Sequence, residues 1–458
     1  MKRNRDSVDL SPVERRTALS MAGIYSVRML GLFMILPVFA LYAEHLIGTT
    51  PFLVGLAIGI YGFTQGLLQV PLGMLSDRIG RKPVIVGGLL VFALGSAVAA
   101  MSDHILGVVI GRALQGAGAI AATVLALAAD LTREEHRTKV MAVIGMSIGV
   151  AFAVAMVLGP VLDRWIGVPG IFWVTAVLAL VAIGITVFGV PTVVARLHRD
   201  TELVPTSLGS VLRDGQLLRL DLGIFTLHLV LTANFVVLPL ELGRLLDPAH
   251  HWLVYLPVFV GSFVAMVPFI IIAEKRRRMK EVMVGAIAVL ILVQLLLAEL
   301  PENVWEIGLA LWLFFTAFNL LEASLPSLVA KLAPPDRKGT AMGIYSSSQF
   351  FGIFTGGALG GWVHQHFGLH QVYLTGIIAL LLWLLAAATM RRPRHLSTRA
   401  MHVGRLDEAG QKELLSRLHA LPGVAEVVYL PDEEVVWLKV DGDRFDDERL
   451  NAFSVAKA

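Results

Sequence analysis

Long apolar runs alternate with short, base-rich polar junctions along most of the chain. Twelve runs reach the roughly 20 residues that a helix needs to cross a bilayer. They fall near 17–43, 52–75, 83–101, 104–130, 138–162, 169–190, 220–243, 252–273, 281–299, 304–330, 340–364 and 370–390. None has the strict alternation of a barrel strand, and a backbone in lipid must satisfy its own hydrogen bonds, so the runs predict α-helices. The longest internal connection, 191–219, divides them six and six, and the halves repeat at an offset of about 200 residues. Leu158-Gly159-Pro160, Gly167 and Phe172 recur as Leu359-Gly360-Gly361, Gly368 and Tyr373. Phe33 with Leu36-Pro37 recurs as Phe235 with Leu238-Pro239. The expected fold is an all-α polytopic membrane protein of 12 transmembrane helices in two six-helix pseudo-repeats. The first bundle occupies 1–190, a linker 191–219 and the second bundle 220–394. Equal spacing in the same orientation relates the bundles about the membrane normal, with a polar cleft between them. Within the linker, 207–219 predicts a short amphipathic surface helix.

After Arg394 the hydropathy collapses. A helix over 407–420, with Leu414, Leu415 and Leu418 at helical spacing, stops at Pro422-Gly423. Strands follow over 424–430 and 435–440, then a helix over 443–452. A first strand near 401–406 and a last one at 453–455 complete a small α+β, ferredoxin-like domain over 395–458. Its predicted order resembles heavy-metal-associated domains, but the metal-holding Cys-x-x-Cys loop of that family has no counterpart in a chain without cysteine. His395, His402 and His419 make no ligand set, so no metal is expected, and the ligand or partner of this domain is unknown.

Composition narrows the class. Of 458 residues 56% are hydrophobic and only 16% charged, and the mean hydropathy is +0.73, which excludes an ordinary soluble protein. The net charge of +3 hides an asymmetry: 1–394 carry 30 basic and 23 acidic side chains, 395–458 carry 8 and 12. The bases cluster at the N-terminus, at the even-numbered junctions (Arg78, Arg81, Lys82; Arg133, Arg137, Lys139; Lys275 to Arg278; Lys331, Arg337, Lys338) and after the last run. The opposite junctions hold only Arg164 and Arg244. Both termini are therefore expected in the cytoplasm. The polar first 16 residues predict no cleavable leader. Nucleic-acid binding is not expected, and no nucleophile with a base, metal set or phosphate loop suggests an enzyme.

The junction after the second run reads Gly73-Met74-Leu75-Ser76-Asp77-Arg78-Ile79-Gly80-Arg81-Lys82. This pattern resembles the signature loop of the major facilitator superfamily, and the resemblance covers 17–390. It implies a secondary active transporter of the bacterial inner membrane, driven by a proton gradient without a cofactor, whose partners are a small molecule, protons and the bilayer. It also implies a conformational latch made of Gly73, Asp77, Arg78, Gly80, Arg81 and Lys82. Asp77 is expected to meet the start of the eleventh helix and Arg81 to pair with Asp130. In the fourth helix, Arg112 with Gln115, Gly116 and Gly118 resembles the motif whose arginine faces the cleft. In the fifth, Gly145, Gly149, Gly159 and Pro160 partly match a motif of exporters; Ala155 and Leu162-Asp163 depart from it.

Charges at mid-bilayer depth must be paired, hydrated or titrating. Arg28, Arg112 and Glu322 are such charges, and Asn234 and Asn319 add polar groups to a central cavity. The first helix lacks the acid of several drug antiporters, so Glu322 is the candidate for proton coupling. Glu241 and the isolated His228 read as structural. An apolar cleft with few fixed polar groups fits export of hydrophobic or cationic drug-like compounds. The alternatives are uptake of a polar or anionic solute by symport, served by Arg28 and Arg112, and a non-transporting sensor with 395–458 as output.

Overall fold

The structure, a computed structural model, describes residues 10–191, 208–276, 278–299, 301–334, 338–390, 396–403, 407–430, 435–441 and 445. The expected helix over 443–452 and last strand at 453–455 lie outside the described residues, apart from Phe445, as does linker 192–207.

The first half opens with α1 (Pro12–Phe33), started by a reciprocal cap between Ser11 and Glu14. The chain leaves helical bonding at Met34–Ile35 and resumes as α2 (Leu36–Ala43), so the first run is two helices. Pro37, which lacks an N–H, is tolerated only in a first turn, and the break precedes it. α3 (Pro51–Ile79) and α4 (Arg81–Ala100) are joined by Gly80 alone, at φ 98°. The expected charged loop over 73–82 is therefore mostly helix: one glycine in the left-handed region makes the whole turn. The fourth run is split into α5 (Ile105–Ala117) and α6 (Ala121–Asp130) at Gly118. α7 (Glu134–Gly184) holds two helices in its 51 residues, separated at Gly167, whose φ 66° and ψ 173° are not helical. A straight helix of that length would span about 77 Å, more than twice the apolar core of a bilayer. α7 therefore folds back at Gly167 as two arms.

The linker shows one described turn, α8 (Leu208–Val211), and then enters α9 (Gly215–Leu245), capped by Asp214. The amphipathic helix expected over 207–219 is absent from the described residues, because Asp214 starts the membrane helix early. α10 (Trp252–Lys275), α11 (Met279–Ala298), α12 (Val304–Leu332), α13 (Lys338–Phe367) and α14 (Leu369–Ala388) complete the second half. Gly368, at φ 91°, turns α13 into α14 as Gly167 turns α7.

Among the described residues, ten stretches are long and apolar enough to cross a membrane, the two arms of α7 counting as one. α13 has 30 residues but is too rich in glycine and serine to qualify. Its small residues serve helix contacts instead of lipid. A Cβ on Gly55 of α3 would stand 2.1 Å from the Gly357 carbonyl, and one on Gly361 2.5 Å from that of Pro51. On its other face, Cβ atoms on Gly352 and Gly356 would each stand 2.2 Å from a carbonyl of α9. α13 thus touches α3 of the first half and α9 of the second at backbone distance.

Two lysines close the bundles alike. Lys82 at the start of α4 gives its Nζ to the Val190 carbonyl (2.9 Å), and Lys280 at the start of α11 gives its Nζ to those of Ala388 (2.7 Å) and Met390 (2.6 Å).

Beyond α14, β1 (Leu396–His402), α15 (Glu408–His419), β2 (Val424–Leu430) and β3 (Val435–Asp441) form an antiparallel sheet in the order β1-β3-β2. β1 begins five residues before the expected 401, in register from Leu396 opposite Asp441 to His402 opposite Val435. Met401, Val403, Leu418, Val436, Leu438 and Val440 are its core.

Candidate functional site

Glu322 lies on α12 with its side chain 38% exposed, although its Oε2 is itself buried. Gln349 of α13 donates from Nε2 to Glu322 Oε1 (3.2 Å), and the same nitrogen lies 2.9 Å from His228 Nε2 on α9. His228 Nδ1 is 3.2 Å from the Ile224 carbonyl. Carbonyl oxygen only accepts, so Nδ1 carries the proton and Nε2 accepts from Gln349, which makes this histidine neutral. His228 Nε2 is 3.8 Å from Glu322 Oε2. Sequence reading took His228 as isolated. The structure brings it, Gln349 and Glu322 together from three helices.

Phe318, one turn before Glu322, lies 5.6 Å from the His228 ring. It belongs to an aromatic cluster on the side away from the Lys82 end. Phe33 and Phe152 of the first half meet 4.7 Å apart, Phe152 reaches Phe259 of α10 at 5.5 Å, and Phe259 reaches Phe315 at 4.3 Å. This cluster spans both halves directly beside Glu322. Single phenylalanines in apolar runs carry no sign of it in the sequence.

The two arginines are elsewhere. Arg28, 1% exposed, donates from Nη2 to Gln65 Oε1 (2.5 Å) and to the Gly118 carbonyl (3.2 Å), with Tyr61 and Phe92 rings 5.9 and 5.5 Å away. Arg112, also 1% exposed, donates to Gln115 Oε1 (2.7 Å) and to the Ala57 and Ile58 carbonyls. Its guanidinium lies 5.3 Å from the centroid of the same Tyr61 ring. Both were expected at the central cavity; both are enclosed by helices of the first half. Ring faces and carbonyls there replace water around the cation. Asn319 is likewise turned within its own half, donating to Ser262 Oγ of α10 (3.2 Å), and Asn234 is buried.

At the Lys82 end, Arg81 ties three groups. Its Nε donates to Asp130 Oδ2 (3.1 Å), its Nη1 to Ser76 Oγ (2.7 Å), and the same Nη1 pairs with Asp77. Asp77 is thus tied across the Gly80 joint to Arg81 of its own half; residues 335–337, before α13, lie outside the described residues. Arg78 is exposed, Gly73 faces Ala122, Gly80 forms the joint, and Lys82 caps a carbonyl instead of joining the ionic cluster. Sequence reading missed Glu14, which is 3% exposed and accepts from the Arg133 backbone and side chain at 3.0 Å, with His136 Nδ1 also at 3.0 Å.

Of the fifth-helix residues, Gly159 is sterically required, since a Cβ there would stand 2.2 Å from the Met34 carbonyl at the α1–α2 break. Gly145 and Gly149 have room, with only Phe263 at 4.0 Å from the latter, and Pro160 lies inside α7. Glu241, 4% exposed, accepts from the Tyr373 hydroxyl. Among the described residues no group of His, Asp and Glu is arranged to hold a metal.

The sequence matches the profile described as Major Facilitator Superfamily over 21–247 and again over 220–421. It is 45% identical over 445 residues to the inner membrane transport protein YajR of Escherichia coli K12, covering 96% of this chain and 98% of that one. It is 25% identical over 344 residues to the multidrug resistance protein MdtH of Yersinia enterocolitica, covering 74% of this chain and 84% of that one. The crystal structure of the human organic anion transporter MFSD10 superposes with a TM-score of 0.59 over 82% of this chain and 100% of that one, at 21% identity, a likeness of fold.

Proposed function

The chain belongs to the major facilitator superfamily, a family of transporters and not enzymes, and on that premise we propose that it exports hydrophobic, cationic compounds against an inward flow of protons. The observation that carries this reading is the placement of charge. Glu322 is a partly exposed carboxylate beside an aromatic cluster that joins the two halves and suits a lipophilic cation, while both membrane-embedded arginines are enclosed in the first bundle. That distribution weakens the anionic-solute alternative. The name of the multidrug resistance relative agrees with it.

With α7 counted as two arms and α13 added, the helices make twelve crossings in two bundles that rock about the cleft. The base-rich junctions support a bacterial inner-membrane protein with both termini on the cytoplasmic side, where the segment that holds β1, α15, β2 and β3 would be a ferredoxin-like domain whose partner is unidentified. Protons supply the energy, with no cofactor. One proton on Glu322 and one bound cation compete for the same carboxylate, which is how exchange would be coupled.

The test is flux in proteoliposomes under an imposed pH gradient, with tetraphenylphosphonium and a set of organic anions as probes. Wild type is expected to move the cation, and Glu322→Gln to lose at least about tenfold of that flux. Undiminished flux in the variant, or movement of anions alone, overturns the reading.

A further inference from the structure

Asp221, in the second turn of α9, is 7% exposed and has no ion pair or hydrogen bond among the described residues. Arg219 on the same helix donates instead to the Gly215 carbonyl. Tyr345 of α13 is 3% exposed, and its buried hydroxyl also lacks a hydrogen-bond partner. Helix register makes these two neighbours. Gly352 lies against Phe225, Gly356 against Leu229 and Gly360 against Ala233, so α9 and α13 run parallel and in step. Extending that offset by one turn sets Asp221 beside residue 348, within a turn of Tyr345. The Tyr345 hydroxyl feels the charge of both Asp221 and Glu322. One turn further along α13, Gln349 holds Glu322 and His228.

A hydroxyl buried without a partner, and within a turn of it a largely buried carboxyl with no ion pair or hydrogen bond among the described residues, are costly to keep in an apolar helix contact. Their line leads from Glu322 to the end of the bundle that carries Lys82. The titratable groups facing it are Glu322 from α12 and His228 from α9; Trp383 of α14 packs against Gly223 and closes the other side. We propose that Asp221 is a second proton-binding site and that the Tyr345 hydroxyl passes protons between it and Glu322. The O–H bond of protonated Glu322 breaks as its proton reaches the Tyr345 oxygen, and the proton of Tyr345 leaves for the Asp221 carboxylate. Rotation of the hydroxyl restores the tyrosine, so one proton has moved and no electrons have. This inference rests on Glu322 being the coupling carboxyl.

The experiment follows carboxyl infrared bands of the full-length protein in phospholipid nanodiscs after a pH jump, which requires no transported compound. Glu322→Gln is expected to remove one titrating band and Asp221→Asn a second. Tyr345→Phe keeps both bands but slows loss of the Glu322 proton by about tenfold or more, and Asp221→Asn slows it comparably. An unchanged rate in both variants, or no titrating band lost in Asp221→Asn, overturns the relay while leaving Glu322 untouched. If Glu322→Gln removes no band, the coupling reading beneath it fails instead. Because the aspartate and tyrosine variants are independent near-isosteres, misfolding of one leaves the other to decide.

Discussion

The two halves bury charge in opposite ways. In the first, Arg28 and Arg112 sit at membrane depth with every contact drawn from their own bundle: carbonyls, glutamine oxygens and ring faces. In the second, Glu322 has one side-chain donor, Gln349, and 38% of its surface open. An enclosed cation holds helices together and is shielded from a visitor, although Nε and Nη1 of Arg28 are buried without a hydrogen-bond partner. A carboxylate held by one neutral donor keeps capacity for a proton or a cation. Depth in the membrane alone therefore does not mark a transport residue; depth combined with partial exposure does.

The contrast breaks first at Arg81, the largest expected effect. Arg81→Ala leaves Asp77 and Asp130 facing each other without their shared cation and is expected to cost about 3–5 kcal/mol, read as a fall in thermal stability in detergent. An unchanged melting temperature would show that the ionic cluster of the first half holds nothing. Arg112→Ala, which removes three hydrogen bonds, is expected to cost about 2 kcal/mol at roughly 0.6 kcal/mol or somewhat more per bond. Its flux per folded molecule should stay within about twofold of wild type. Normal stability with lost flux would instead move Arg112 to the cleft. Glu322→Gln keeps an acceptor for Gln349, so its stability should change by less than about 1 kcal/mol while gradient-driven flux is lost. The smallest effect belongs to Asn319→Ala, at about 0.6 kcal/mol for the bond to Ser262. A large loss of flux there would extend the site to α10.

Much of this arrangement could be read from the chain. Apolar runs located the helices to within a few residues, because lipid enforces length and composition together. The matched glycines at 167 and 368 share a positive φ, as the repeat suggested. What escaped depends on three-dimensional register. The single-residue joint at Gly80 turns an expected loop into helix, since a backbone angle leaves no length signal. His228 and Gln349, 121 residues apart in sequence, meet only because α9 and α13 pack against each other and both side chains reach along the contact. The enclosure of Arg28 and Arg112 could not be read from the chain, because sequence shows depth and not which face of a helix finds rings and carbonyls. The glycine spacing of α13 carried a usable signal: a helix so poor in apolar bulk must spend its length against other backbones.

The lysine caps have a mechanical meaning. Lys82 and Lys280 each rivet the final helix of a bundle to its third helix, just before the chain leaves for the linker or for the terminal domain. Each departing segment is thus bolted to a whole bundle and not to a lone frayed end. Tilting of the second bundle would therefore carry the chain at Met390 with it, as one rivet moves with its plate.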